Sequence, residues 1–139
     1  MVILDTNVIS EALAPKPHAS VAAWFTTQPL SSVFTTAITK AEILRGVRIL
    51  PTGKRRRDLE AALQPIFAIE FAGRVLPFDS EAADAYGDIA AHRRKIGKPI
   101  SQSDAQIAAI ALSRGATVAT RNTNDFSEIG LTIIDPWLS

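Results

Sequence analysis

Five short apolar runs punctuate the chain: VIL at 2–4, SVFTT at 32–36, RVLPF at 74–78, TVAT at 117–120 and LTIID at 131–135. As strands they do not alternate apolar with polar residues, so both of their faces are buried. The stretches between them carry helical spacing. A strand reaches a parallel neighbour only by crossing back over the sheet, and a helix is the usual crossover. The pattern therefore predicts an α/β fold, with a mainly parallel central sheet of about five short strands flanked by helices on both faces. The chain has 139 residues. That is enough for one domain with a real core and too few for two, so 1–139 is read as a single domain.

Helices are predicted from about Asn7 to Leu13, stopped by Pro15 and Pro17, and over 18–28, ended by Pro29. A third covers 39–50, with Ile43, Val47 and Leu50 on its apolar face. A fourth runs over 54–64 and ends near Pro65. A fifth starts at Asp79 or Ser80 and breaks before Gly97 and Pro99. The last covers 101–115, with Gly115 as its stop. No apolar run is long enough to span a membrane, and the N-terminus lacks the basic flank and apolar core of a signal peptide. Cysteine is absent. That excludes disulfides, thiolate metal sites and thiol nucleophiles, and suits a reducing, cytoplasmic setting. Net charge is +1, so affinity for nucleic acid has to come from local patches.

Four acids fall where this topology gathers them. Asp5 ends the first strand, Glu42 lies in the first turn of the helix after the second, Asp104 opens the last helix, and Asp125 follows TVAT in the loop RNTNDF. In parallel sheets, strand ends and the starts of crossover helices share one edge, where ligands bind. Ile107, Ala108 and Ala111 lie three, four and seven residues beyond Asp104, so Asp104 heads an apolar stripe and faces the mouth of the core. Glu42 and Asp104 also have a simpler explanation, because Thr39 and Ser101 stand three residues before them at capping-box spacing. Four clustered carboxylates repel, and each raises its neighbours' pKa. A hard divalent cation relieves that repulsion, and Mg²⁺ takes one or two carboxylates while keeping waters.

Other chemistries fail on residues. DTNVIS after the first strand has no glycine, which excludes a dinucleotide fingerprint, and there is no Walker A loop. A haloacid-dehalogenase-like phosphatase needs a second Asp two residues after Asp5, where Asn7 stands. His18 and His92 lie outside these segments and read as surface residues.

The segments LDTNVISE, AITKAEILRG, ISQSDAQIAAIA and TVATRNTNDF, in this order and spacing, resemble the PIN-domain nucleases. The closest likeness is to the VapC-type toxins of bacterial toxin–antitoxin pairs, in the FitB-like subgroup. The resemblance covers nearly the whole chain. It implies a PIN-like fold and a metal-dependent endoribonuclease using Mg²⁺ or Mn²⁺. Asp5, Glu42, Asp104 and Asp125 would be catalytic, with Asp5 and Asp104 as direct metal ligands. Many relatives carry the fourth acid in a Thr-x-Asp position, which here is Asn122 after Thr120, so either Asp125 or Asn122 fills that place. Thr6 and Thr120 offer hydroxyls at the same edge, and Asn7 is expected to cap the first helix. The implied partners are an RNA substrate and a small cognate antitoxin that carries the toxin to operator DNA, with no membrane; a homodimer is expected. The antitoxin tail is expected to lay apolar side chains along Val8, Ile9, Val21, Trp24 and Phe25. Two rivals stay open: a free-standing PIN-domain RNA-processing nuclease, and a PIN module that binds RNA or protein without catalysis.

Two basic runs remain. KRRR at 54–57 and HRRK at 92–95 are each explained by a solvated face. Together they make a surface for RNA phosphates, with Arg55, Arg56, Arg57, Arg93, Arg94 and Lys95 as the contacts.

Overall fold

A computed structural model describes residues 1–138. Its elements follow the chain as β1 (Val2–Leu4), α1 (Thr6–Ala12), α2 (Ala19–Thr26), β2 (Val33–Thr36), α3 (Ala37–Arg48), α4 (Lys54–Pro65), β3 (Val75–Leu76), α5 (Ser80–Lys95), α6 (Gln102–Ser113), β4 (Thr117–Ala119) and β5 (Ile133–Ile134). The strands form one sheet in the order β3-β2-β1-β4-β5. Every pairing is parallel. The chain builds outward from β1 to β2 and β3, then returns to the other side of β1 with β4. The strand order thus reverses between β1 and β4, and parallel sheets bind ligands at such a reversal.

Successive side chains on each strand enter different cores, as the period of two requires. Ile3, Phe34 and Val118 join the core beneath α5 and α6. Val2, Leu4, Val33 and Ala119 join the one beneath α1 and α2. A smaller core of Val47, Leu63 and Phe67 lies between α3 and α4. Helices therefore cover both faces, and the sequence-based expectation of a two-sided sheet holds.

Several boundaries differ from the sequence reading, each for a local reason. Strand β2 passes into α3 without a loop. Thr36 ends the strand and caps the helix, its hydroxyl accepting from Thr39 N at 3.1 Å. The helix thus starts two residues earlier than read. Asp5 directly follows β1 and is the residue before α1, where its carboxylate accepts from Thr6 N. Asn7 lies inside α1 and does not cap it. Helix α4 ends at Pro65, as read, but the chain continues without a break into a π-helical turn, Ile66–Glu70. Proline has no N–H to give and crowds the carbonyl one turn back, and a change of pitch accommodates both. Helix α5 ends where expected, with Gly97 in the left-handed region at φ 76° turning the chain toward Ser101.

Candidate active site

The register fixes which groups meet. Leu4 pairs with Ala119, so Asp5 and Thr120 lie side by side just past the ends of β1 and β4. Asp5 is 4% exposed. Its Oδ1 accepts from Thr6 N at 2.8 Å, and its Oδ2 accepts from the Thr120 hydroxyl at 2.8 Å and from Asn7 Nδ2 at 3.1 Å. A carboxylate offers about four lone-pair sites, so these bonds orient the group and leave room for one more partner. Asn7 is itself held, because its Oδ1 accepts from Arg121 N at 3.2 Å. The Thr120 hydroxyl also accepts from Asn122 N at 3.0 Å, which ties the start of the following loop to the same point.

Glu42 is the sixth residue of α3, one turn further along than its spacing from Thr39 suggests. It is exposed, and its Oε1 accepts from the Thr6 hydroxyl at 2.8 Å. That hydroxyl lies 3.3 Å from the hydroxyl of Thr39, which is fully buried. The capping-box explanation of Glu42 is therefore overturned: the cap is Thr36, and Glu42 faces Thr6 across the edge. For Asp104 the cap is real. Ser101 Oγ accepts from Asp104 N at 3.2 Å, yet the carboxylate is half-buried and has the other acids as neighbours. Asp125 sits in a 3₁₀ turn, Thr123–Phe126, pinned by Phe126, which is wholly buried. Asp125 and Asn122 are both exposed.

The acids act on one another's charge. Burial pushes Asp5 up to about 6, against the bonds from Thr120 and Thr6, and the charges of Asp104 and Glu42 push the same way. Burial also raises Asp104, helped by the charges of Asp125 and Glu42 and opposed by the Ser101 bond and Arg93. The described ion pairs, Arg56–Glu60, Lys98–Glu128 and Arg114–Asp79, involve none of the four. Among the described residues, no three acids or histidines close around an ion by themselves. The donor set suits a hard cation held by one or two carboxylates that keeps most of its water.

One expected phosphate contact is corrected. Arg93 is 5% exposed, and its guanidinium is committed to main-chain carbonyls of Lys98, Asp125 and Ser127. It cannot also meet RNA. Arg55, Arg57, Arg94 and Lys95 are exposed, and Arg56 is paired with Glu60 at 3.0 Å. The apolar surface expected for a partner also shifts. Val8, Ile9, Val21 and Trp24 are buried core. The open apolar feature is instead a groove of about 400 Å³ between α1, α2 and the π-turn, lined by Ile9, Leu13, Phe25, Leu30, Ile66 and Phe71. His18 caps α2 through Nδ1, and His92 lies exposed on α5. Sequence reasoning missed Thr39 as a site-facing hydroxyl and Arg93 as a buried clamp; a basic residue inside HRRK gives no sign of which face it takes.

The sequence matches the PIN domain over residues 2–131. It is 43% identical to the VapC ribonuclease Y4jK of Sinorhizobium fredii over 99% of this chain and 98% of that protein. It is 42% identical to toxin FitB of Neisseria gonorrhoeae over 99% of each. The fold superposes on a solved structure of FitAB bound to an IR36 DNA fragment with a TM-score of 0.91, at 43% identity, covering 99% of this chain and 96% of that one. With matches of this length, and the acid edge in place at the reversal of the sheet, the chain belongs to the PIN-domain family, alongside the VapC ribonucleases and the FitB toxin.

Proposed function

We propose that this chain is the toxin of a toxin–antitoxin pair: a metal-dependent endoribonuclease that hydrolyses RNA phosphodiester bonds and is held inactive by a cognate antitoxin. The observation that carries the reading is Asp5. It is a buried carboxylate oriented by three hydrogen bonds and crowded by further acids, in a chain that aligns end to end with a VapC ribonuclease. Carboxylates gathered at this electrostatic cost are explained by a cation that completes the site.

Asp5 and Asp104 would hold Mg²⁺, or Mn²⁺ in its place. When bound, the ion supplies Lewis acidity, making water a better nucleophile and neutralising charge on the phosphoryl oxygens. Thr120 and Asn7 hold the Asp5 carboxylate in one orientation. Glu42 is exposed and steadied by the Thr6 hydroxyl, and serves to orient the attacking water. Asp125 faces Asp104 from the opposite segment and completes the acid set, with Asn122 beside it. Arg55, Arg57, Arg94 and Lys95 attract the RNA backbone without regard to sequence.

The antitoxin reading rests on the FitB relative and on the FitAB assembly solved on DNA. Its inhibitory tail would seat apolar side chains in the groove beside Leu13, Leu30 and Phe71, and direct a basic side chain to the acid edge, where Arg bonds two carboxylate oxygens at once. The antitoxin, not this chain, would contact operator DNA, and the toxin would act as a homodimer in the cytoplasm. No helix among the described residues is long and apolar enough to cross a membrane. The intact acid set weighs against a module that binds RNA without cutting it.

The experiment is end-sequencing of cellular RNA after induction of the wild type and of Asp5→Asn. New ends are expected with the wild type alone. Purified protein should cut RNA in Mg²⁺ or Mn²⁺, stop in EDTA and resume on adding metal. Cleavage that persists in EDTA overturns the mechanism.

A further inference from the structure

Arg93 is a buried cation that forms none of the described ion pairs, although its charge reaches Asp104 through space. It lies in the last turn of α5 and is 5% exposed. Its Nε donates to Lys98 O at 2.6 Å, and its Nη1 donates to Asp125 O at 2.9 Å and to Ser127 O at 3.1 Å. A buried guanidinium is costly unless its donors find partners, and here Nε and Nη1 find them in main-chain carbonyls. Those carbonyls belong to two separate segments. Lys98 lies on the turn that leads to Ser101 and the start of α6, which carries Asp104. Asp125 and Ser127 lie on and just after the 3₁₀ turn that presents the Asp125 side chain.

The same two segments are joined a second time at the surface. Lys98 Nζ pairs with Glu128 Oε2 at 3.0 Å. Glu128 holds a left-handed backbone at φ 62°, the single non-glycine residue to do so among those described. A glutamate adopts that conformation only where its surroundings fix the chain. Phe126, wholly buried, anchors the turn in the core, and the bonds to Asp125 O and Ser127 O fix the chain on either side of it. The exposed Asp125 side chain is thus held by its backbone alone. Asp104 and Asp125 repel each other through space. Without the Arg93 bonds, the backbone at Asp125 would be freer to turn its carboxylate away from Asp104.

We propose that Arg93 is a positioning residue for the acid edge. By bridging the turn before Asp104 to the carbonyls of Asp125 and Ser127, it holds these two carboxylates at the spacing the site needs. The inference rests on the reading of Asp125 as a member of the site. It assigns Arg93 no contact with RNA.

The test uses Arg93→Lys and Arg93→Gln in the full chain, with Mn²⁺ as the probe ion. Arg93 meets Lys98 O from Nε and the carbonyls of Asp125 and Ser127 from Nη1, two positions on one rigid fork; Lys and Gln each carry a single nitrogen at the chain end, which cannot occupy both positions. Both variants should weaken Mn²⁺ binding, measured by titration calorimetry, by roughly 10–100-fold, the range for residues that orient metal ligands. RNA cleavage should lose kcat in similar proportion, with KM and its salt dependence nearly unchanged. Amide exchange should rise at residues 122–128 and stay slow in β1 and β4. Should Gln leave the carbonyls too poorly satisfied to fold, Lys, which keeps the charge, carries the test. In an Asp125→Asn background, Arg93→Lys should cost no further Mn²⁺ affinity.

Five results would overturn the proposal. A lowered melting temperature with normal Mn²⁺ affinity and kcat would make Arg93 a stabilising residue only. A raised KM with a shallower salt slope would make it a phosphate contact. A loss in Gln but not in Lys would assign the effect to charge and not to bridging. An equal loss in both backgrounds would mean that Arg93 does not act through Asp125. If Asp125→Asn alone binds Mn²⁺ like the wild type, the reading of Asp125 as a site residue fails, and the inference fails with it.

Discussion

The hydroxyl of Thr120 donates to Asp5 Oδ2 at 2.8 Å, joining residues 115 positions apart in the chain. The bond spans the reversal between β1 and β4 and aims the most buried acid of the site. It also opposes the rise that burial imposes on the Asp5 pKa. Thr120→Val keeps the shape and removes the donor. Metal affinity should fall by roughly 10–100-fold, and the pH at which metal binds half-maximally should rise, because Asp5 loses a bond that favours its charged form. Titration of Mn²⁺ across pH 5 to 8 reads both. An unchanged profile would mean that Thr120 only satisfies backbone groups.

The Asp5 carboxyl has an ordinary value near 3.8 when unfolded and about 6 when folded without metal. A carboxyl with a raised folded pKa contributes stability that is fully present below the unfolded value and lost as pH climbs through the folded one. The change spans roughly pH 4 to 6 and is on the order of 3 kcal/mol. In EDTA, the melting temperature of Asp5→Asn minus that of the wild type should increase across that window and level off above it. Saturating Mg²⁺ should lower that difference, since the variant has lost a ligand. A difference that is flat with pH would refute the burial argument.

Glu42 caps nothing in this structure, so Glu42→Ala should change stability by no more than about 0.5 kcal/mol, as for ordinary surface substitutions. Cleavage should fall by orders of magnitude. Chemical denaturation and turnover measured on one preparation separate the two. Normal turnover would leave the Thr6–Glu42 bond as surface detail.

Arg55 and Arg57 are exposed on α4. Replacing both by Gln should weaken RNA binding across all sequences and flatten its dependence on salt by up to about one unit of slope per lost phosphate contact. The same pair of measurements applies to Arg94 and Lys95. An unchanged slope would return either run to a solvated face.

Leu13 and Leu30 are 43% and 68% exposed at the apolar groove. Leu13→Asp or Leu30→Asp should disrupt co-purification with a cognate antitoxin while leaving RNA cleavage intact, because neither residue touches the acid edge. The inhibited complex should also bind Mg²⁺ more weakly than free toxin, by linkage. Equal metal affinity in the two would mean that inhibition blocks RNA without reaching the acids.

The sheet, its order of elements and the gathering of the acids could be read from the sequence because they depend on period and topology. Five unalternating runs separated by helical spacing admit few other arrangements, and parallel strands bring Asp5 and the end of β4 to one edge whatever the details. What escaped depends on single side chains. Thr36 is both strand end and helix cap, so the start of α3 carries no loop signal, and Glu42 was placed one turn early. Pro65 is the end of α4, as its chemistry requires, but nothing in the sequence announces the π-turn that follows it. Arg93 looked like its basic neighbours. Only the packing of α5 and α6 shows that it turns inward while Arg94 and Lys95 stay in water.

Strand β1 occupies the middle of the sheet and draws its second neighbour, β4, from residues 117–119. The middle of the sheet is therefore closed by a pairing of two segments more than a hundred residues apart. Such pairing is slow to form, because the long intervening loop has to close before any contact rewards it. The acid edge is expected to be among the last parts of the fold to settle, with Thr120 reaching Asp5 only as β4 docks on β1.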